Sequence, residues 1–505
     1  MRLHPLVTLA LGAALGLFWP STAAALPDWA DKLTLSGTLS TDLRFNIEDY
    51  RGPVAGQGYD FAVNRNDLTV HAEVAPVDKV VGVVDARLRY YGFNQAAQLA
   101  QTSDRDRIDP FSLQLDQAFI AVKGVPLAAL DLKVGRMVQS WGAADMFNPT
   151  DNLNARDFYD PMDYSRKVPN DMIEADLYPT DWLTLTAVVV PVFKPSQLPV
   201  STPLAFAVER DAQGCLTQAP APPLSAEDGK KLADLFGSID PCALNFHDPQ
   251  VRLVMPQNRF ADAQAALRAK FQLGDLDLAL SYYYGRFSFP VAYTAVANTA
   301  VSATQPGKVD VDYVAEVMYP RMQVGGLDFS YSAPWFFNVG FVGELAVIFP
   351  EEVDFALRAY QSGAKLAEFT HVNVPKAAFV KATLGLDYTF TKWLYVNAMY
   401  VRGFFDEFND TYGLHNYVVA AAEFKALRDT LVLRLSGVYD ANDSSNVANP
   451  QLTWIVTPSV EVIGGAFVFG GSTHPKDPID YASRSKFGQK AAGRSFAYLK
   501  ARLTW

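Results

Sequence analysis

The chain alternates. From Leu33 to Ile47 the odd positions read Leu33, Leu35, Gly37, Leu39, Thr41, Leu43, Phe45 and Ile47, and the even ones Thr34, Ser36, Thr38, Ser40, Asp42, Arg44 and Asn46. Successive side chains of an extended strand point to opposite faces, so this segment has one greasy and one wet side. The pattern returns near Asp262, where Gln264, Arg268, Lys270 and Gln272 alternate with Ala263, Ala265, Leu267, Ala269, Phe271 and Leu273. It returns near Lys381, where Thr383, Asp387 and Thr389 alternate with Val380, Ala382, Leu384, Leu386, Tyr388 and Phe390. A soluble sandwich would alternate too, with its apolar faces turned together. The connections favour a membrane: short turns at Pro76-Val77-Asp78, Pro179-Thr180-Asp181, Gly274-Asp275, Thr391-Lys392 and Arg428-Asp429 alternate with much longer loops. Transmembrane barrels have this asymmetry, and Trp182, Trp335 and Trp393 sit beside short turns, where an aromatic girdle belongs.

Counting the segments predicts an all-β fold, a transmembrane antiparallel up-and-down β-barrel of about 18 strands, with roughly 16 as the alternative, because single-chain bacterial barrels take even numbers. Residues 309–332 read as one long strand or two, and Pro458 as a turn. At the C-terminus Ala497, Leu499, Ala501, Leu503 and Trp505 alternate with Tyr498, Lys500, Arg502 and Thr504. A last strand ending in an aromatic resembles the signal read by the outer-membrane barrel-assembly machinery, and closure against the first strand would remove an exposed edge. A barrel of this size leaves an aqueous bore unless something fills it.

The first residues carry Arg2, an apolar run from Leu6 to Phe18 and the small residues Ser21 to Ala25, the pattern of a cleaved secretory signal over 1–25. The barrel is then expected over 26–505, its first strand following too soon for an N-terminal plug domain. Cleavage removes one of 43 basic residues and leaves 42 against 54 acidic ones, which argues against nucleic acid as a partner. Export would expose Cys215 and Cys242 to an oxidising compartment, so a disulfide is expected inside the long loop 192–259.

The histidines are scattered, and no metalloprotease, nucleophile-elbow, phosphate-loop or dinucleotide signature occurs. Neither catalytic residues nor a cofactor nor a metal site is expected, and Asp440-Ala441-Asn442-Asp443 reads as a polar outer turn rather than a calcium loop. What stands out is charge on the wet faces. If apolar neighbours face lipid, then Arg44, Arg65, Arg87, Arg89, Arg434, Lys500 and Arg502 face the lumen as a basic wall. The opposite phase would put them in hydrocarbon at roughly 2 to 4 kcal/mol each. Asp42, Asp67, Glu73, Asp85, Glu174 and Asp176 share the inward phases. The third long loop, 141–170, offers Trp141, Asp145, Asp151, Arg156 and Asp157, together with Asp160, Asp163, Arg166 and Lys167. A loop of this length without periodicity is functional or mobile; it reads either as an inward constriction whose carboxylates face the basic wall or as a solvated outer lid.

Gly135-Arg136-Met137-Val138-Gln139-Ser140-Trp141-Gly142, followed by Asp145-Met146-Phe147-Asn148-Pro149-Thr150-Asp151, resembles a segment of alginate-export-like and related uncharacterised porin-like barrels. The resemblance implies an outer-membrane channel without catalytic residues and names no substrate. Arg136 shares parity with Leu132 and Val134, which aims it at lipid unless Gly135 marks a bulge, and a bulge is expected. The expected function is a diffusion channel for a small hydrophilic solute in the cell outer membrane, with membrane lipid and the assembly machinery as partners through the strand ending in Trp505. A surface adhesin or assembly barrel and a barrel hydrolase are the competing classes.

Overall fold

A computed structural model describes residues 32–47, 61–198 apart from 94, 97, 161, 162 and 164, then 209–210, 215–218, 230–231, 240, 242–470 apart from 411 and 412, and 495–505. The expected signal over 1–25 lies outside the described residues.

Strands β1 (Leu33–Asn46), β2 (Phe61–Val77), β3 (Val80–Tyr91), β4 (Phe111–Lys123), β5 (Leu130–Met137), β6 (Asn170–Thr180) and β7 (Leu183–Val190) run up and down in chain order. After an insertion come β8 (Gln264–Leu273) and β9 (Leu276–Arg286), and after a second β10 (Arg321–Ala333) and β11 (Val339–Pro350). A third precedes β12 (Phe379–Thr391), β13 (Leu394–Arg402), β14 (Asn416–Ala426) and β15 (Leu431–Asp440), with β16 (Asn446–Thr457), β17 (Val460–Gly470) and β18 (Phe496–Thr504) completing the set. Each pairs antiparallel with its neighbours, and β18 pairs with β1, so the 18-stranded ladder closes on itself.

Register decides which side chains meet lipid, because residues directly opposite each other share a face. Leu39 lies opposite Leu68 and Leu503, while its wet neighbour Ser40 lies opposite Asp67 and Arg502. Leu39, Leu384, Leu433 and Leu503 are all exposed on the outer surface, whereas Thr383 is completely buried inside. Near the short turns Trp182 stacks on Phe271 and Trp393 on Phe424, with Trp335 and Trp454 exposed. A second aromatic band, including Phe111, Tyr282, Tyr284, Phe349, Tyr400 and Tyr439, is exposed toward the long-loop rim. No helix among the described residues is long and apolar enough to cross a membrane.

The two ambiguous segments resolve simply. Residues 309–332 form two strands, Val309–Met318 and Arg321–Ala333, broken at Tyr319-Pro320 where proline has no N–H for a ladder, and Pro458 lies in the turn between β16 and β17. One outer connection departs from the expected asymmetry: Ala441 to Ser445 joins β15 to β16 in a tight turn. The bulge expected at Gly135 is absent. Both ladders run through Gly135 without a shift, and Arg136 stays on the outward face, where its Nε donates to the Leu115 carbonyl at 2.6 Å. Gly135 instead permits close approach of two backbones, since its φ is +138° and a Cβ there would lie 2.4 Å from the Ala118 oxygen.

The long insertions are not loose. Leu244–Val254, Val309–Met318, Val291–Val301, Val353–Gln361 and Ala364–Val374 form, in that spatial order, a five-stranded sheet beyond the rim of β7 to β12. Ala295, Ala297, Tyr313, Ala315, Phe355 and Leu357 make its core. The loop expected over 192–259 therefore contains an edge strand of this sheet. Cys215 and Cys242 are joined in a disulfide just before that strand, and the Cys242 carbonyl accepts from Lys308 Nζ at 2.5 Å.

Candidate functional site

Inside the barrel, β18 and β1 to β4 carry an ion-pair ladder. Register places Asp42 opposite Arg65 on one side and Lys500 on the other, and Asp67 opposite Arg89. Arg44 Nη2 lies 2.7 Å from Asp42, Arg65 Nη2 3.0 Å from Asp42, Arg89 Nε 2.8 Å from Asp67, and Lys500 Nζ 3.4 Å from Asp42. A bulge between β3 and β4 leaves Asp116 as the extra residue on β4, which lets it reach Arg87 at 2.8 Å. The basic wall is therefore interleaved with carboxylates strand by strand. Arg502 lies further along and is paired with Glu461, half exposed. Arg434 stands apart on β15, exposed, opposite Glu423 and Gln451.

The third loop, 138–169, touches inward side chains on opposite parts of the barrel. Its first anchor is Glu344 of β11, almost wholly buried. Oε1 of Glu344 accepts from the backbone N–H of Ala143 and of Ala144, each at 2.7 Å, and from Asn148 Nδ2 at 2.8 Å; Oε2 accepts from Thr150 Oγ1 at 2.7 Å. Gly142, with φ +99°, makes room for this carboxylate, since a Cβ there would lie 2.3 Å from Oε1. Thr383 of β12 donates to the Phe147 carbonyl at 2.7 Å. The segment that resembles porin-like barrels is thus the one that turns from β5 into the bore and docks on β11 and β12.

Apolar packing continues this contact. Trp141, Leu153 and Phe158 of the loop join Met137, Met172, Val188, Ala266, Tyr283, Met322, Val324, Ala346 and Ile348 from the inward faces of β5 to β11 in one buried cluster. Phe147 adds a second cluster with Met399, Val401, Phe404 and Tyr417. Trp141 lies beneath Arg268, whose guanidinium is 5.8 Å from its ring centre. Asn154 ties the loop's ends, donating to the Met137 carbonyl at 3.2 Å and the Val168 carbonyl at 3.0 Å.

The loop's other side meets the ladder through Asp160. That carboxylate accepts from Arg44 Nη1 at 2.9 Å and Arg65 Nη2 at 3.1 Å, while Tyr159 sits under Arg89, 4.9 Å from ring centre to guanidinium. Burial pushes the Asp160 carboxyl up, but hydrogen bonding and charge from Arg44, with Arg65 and Lys500 beyond, outweigh it and hold the group well below the usual carboxylate range. The other expected loop residues pair among themselves. Asp151 engages Lys167 and, at 3.6 Å, Arg156; Asp157 takes Arg166 at 2.8 Å; Asp145 is exposed. Burial lowers the pKa of Arg156 and of Lys167, with Asp151 opposing in both cases.

Sequence reasoning missed Glu344 as an anchor and left Asp160 out of the leading candidates. Glu344 had a signal, being the sole charge in Val339–Pro350, a strand otherwise without ionisable side chains. Asp160 had none that set it apart from its neighbours. His415, Asp440 and Asp443 bring donor atoms within 4.8 Å of one another at the outer turn. His415 Nδ1 already lies 2.7 Å from Asp440 Oδ2, so a metal there would have to displace that contact.

The closed ladder, its lipid-facing apolar surface and its two aromatic bands decide the class. The chain is a closed 18-stranded transmembrane-type β-barrel. No protein-family model and no curated protein matches it, so the likeness of residues 135–151 to alginate-export-like barrels stands on those residues alone. Solved structures resembling the fold include OccAB3 of Acinetobacter baumannii, 9% identical with a TM-score of 0.47 over 94% of this chain and 99% of that one. A Rhodopseudomonas blastica porin mutant is also 9% identical, with a TM-score of 0.39 over 94% of this chain and 100% of its own. OmpT, an outer-membrane protein of Vibrio cholerae, is 10% identical, with a TM-score of 0.38 over 94% and 97% respectively.

Proposed function

We propose that this barrel is a diffusion channel for small hydrophilic solutes, with the passage running along the ion-pair ladder of β18 and β1 to β4 and narrowed by loop 138–169. The observation that carries the reading is the contact of Asp160 with Arg44 and Arg65, which brings a folded-in loop against a charged inner wall. Charges of both signs on that wall orient dipolar or amphoteric solutes and leave net ion preference modest. Water at such a wall screens it less than bulk solution does, because the bore is narrow. The proposal includes export by removal of residues 1–25 and recognition of β18 and Trp505 by the assembly machinery.

Planar-bilayer recording of the purified barrel tests it. Discrete conductance steps are expected, with a reversal potential that moves toward cations when Arg65 and Arg87 are replaced by glutamine. A barrel that conducts nothing, with or without residues 145–165, would sink the channel reading and turn attention to a surface role, for which the five-stranded outer sheet is the supporting observation. No observation favours a hydrolase.

A further inference from the structure

The outward face of β9 and β10 changes character as it rises toward the long-loop rim. Leu280, Tyr282, Tyr284 and Arg286 follow one another on β9, facing Leu327, Gly325, Gln323 and Arg321 on β10. Leu280, Tyr282 and Tyr284 are exposed, in the surface that meets lipid. Arg286 and Arg321 lie directly opposite each other, an arrangement that like charges disfavour. One carboxylate bridges them: Asp262 Oδ1 accepts from Arg286 Nη2 at 2.7 Å and from Arg321 Nη2 at 2.9 Å. Arg259, exposed, stands in the same turn, its carbonyl accepting from the Asp262 backbone N–H at 2.8 Å, and the Glu351 carboxylate accepts from the Arg321 backbone N–H at 2.7 Å. The guanidiniums of Arg259, Arg286 and Arg321 thus outnumber the carboxylates of Asp262 and Glu351. Arg286 Nε is buried without a hydrogen-bond partner.

Two apolar features adjoin this cluster. Phe260, next to Arg259, is 97% exposed. Gly325 sits between Tyr282 of β9 and Val347 of β11, and a Cβ built on it meets nothing within 4 Å. It leaves a groove in the lipid-facing surface directly below Gln323 and Arg321, flanked above by Phe349, which lies opposite Gln323. Arg321 stands over the Tyr284 ring at 5.5 Å, donates from Nη1 to the Tyr284 hydroxyl at 3.3 Å and from Nη2 also to the Ala261 carbonyl at 2.5 Å, so its guanidinium is held at the top of the groove with Nε and one Nη1 hydrogen left to meet an anion.

We propose that this face binds one phosphorylated lipid of the outer leaflet, its phosphate on Arg321 and Arg259 and an acyl chain in the groove at Gly325. Arginine suits the head because its planar fork presents paired donors to phosphate oxygens. Location suits the tail, since the groove opens on the apolar surface rather than on the bore. A second anion also relieves the opposed pair Arg286 and Arg321, which a neutral lipid could not do.

The test uses the full-length barrel in non-ionic detergent, exposed to bisphosphorylated lipid A, to the same lipid stripped of phosphate, or to inorganic phosphate, and read by native mass spectrometry. One retained lipid per barrel is expected, with the phosphorylated form preferred by about tenfold, the effect of losing one charge-assisted hydrogen bond. In R259Q/R321Q the two lipids should be retained alike, and G325L should lose both. The heat-induced gel shift of the lipid-free R259Q/R321Q barrel should not fall, since that variant removes an opposed charge. Equal retention of both lipids by the unaltered barrel, or a preference that survives R259Q/R321Q, overturns the proposal. So does saturation of the cluster by inorganic phosphate that fails to exclude lipid A, which would make it an anion site unrelated to lipid. The result is independent of conductance, so the channel reading and this one can fail separately.

Discussion

The two sides of the lumen are built from different forces. Around β5 to β12 the loop packs on apolar inward residues such as Met137, Met172, Val324 and Ile348 under Trp141, Leu153 and Phe158, with Glu344 and Arg268 set among them. Around β18 and β1 to β4 they are charged, and the same loop meets them through Asp160 and Tyr159. Apolar burial at about 25 cal/mol per Å² is insensitive to salt and has no preferred direction, so it fixes the loop's root. Ion pairs beside water contribute less, are geometrically exacting and weaken with salt. The loop thus has a greasy hinge and a charged far edge.

Removing the loop altogether should have the largest effect. Deletion of residues 145–165 is expected to raise single-channel conductance severalfold while the barrel still closes, since every barrel ladder lies outside that segment. Unchanged conductance would place the narrowest point elsewhere. Next comes the hinge: Glu344→Ala strips several donors of their acceptor and should cost on the order of 3 kcal/mol of loop docking. Protease cleavage within 143–160 and a noisier open channel are the readouts; a quiet, resistant channel would mean that apolar packing alone secures the root.

The far edge should respond more gently. Asp160→Asn is expected to weaken docking by roughly 2 kcal/mol and to shift reversal potential toward anions, because Arg44 and Arg65 lose a counter-charge. The shift should shrink in high salt, and a salt-independent one would assign it to a rearranged loop. The pH dependence follows from sign. The Asp160 carboxyl lies below its ordinary value of about 3.9 in the folded state, so its contribution is complete above that pH and fades only as pH falls through the depressed value. The difference between the unaltered and Asp160→Asn barrels should therefore stay constant on acidification to about pH 5 and shrink only in stronger acid. An inflection near neutrality would point to another group. The smallest effect is expected from reducing Cys215–Cys242: hydrogen exchange in Leu244–Val254 should quicken while the barrel remains folded. Loss of the closed barrel on reduction would contradict this.

The barrel was legible because its physics is local. Alternation at Leu33–Ile47 names two faces from sequence alone, and lipid on one of them penalises any slip in phase. Arg44, Arg65, Arg87 and Arg89 could therefore be aimed inward without coordinates, although pairing with Asp42, Asp67 and Asp116 depends on register and on a bulge that nothing in the spacing announces. The site was less legible because it is made of contacts between residues far apart in the chain. Glu344 meets Ala144 across 200 positions, and Asp160 meets Arg44 across 116. Gly135 invited a bulge since glycine often marks one, but here it lets neighbouring strands come together at positive φ. The outer sheet escaped notice because strands such as Val291–Val301 alternate as barrel strands do, and periodicity does not say which wall a strand joins.

That outer sheet bears on the order of assembly. Its parallel ladders, Leu244–Val254 with Val309–Met318 and Val291–Val301 with Val353–Gln361, join segments whose roots are carried by separate hairpins of the wall. Parallel pairing over such separations carries a loop-closure entropy that local hairpins avoid, and it slows folding accordingly. The roots come together only when β7 to β12 have found one another, so the sheet is expected to form after that stretch of wall. Until then Phe355, Leu357 and Tyr313 have no core to enter. In the unfinished chain these apolar strands stay unpaired, which makes this region prone to aggregation until the wall has formed.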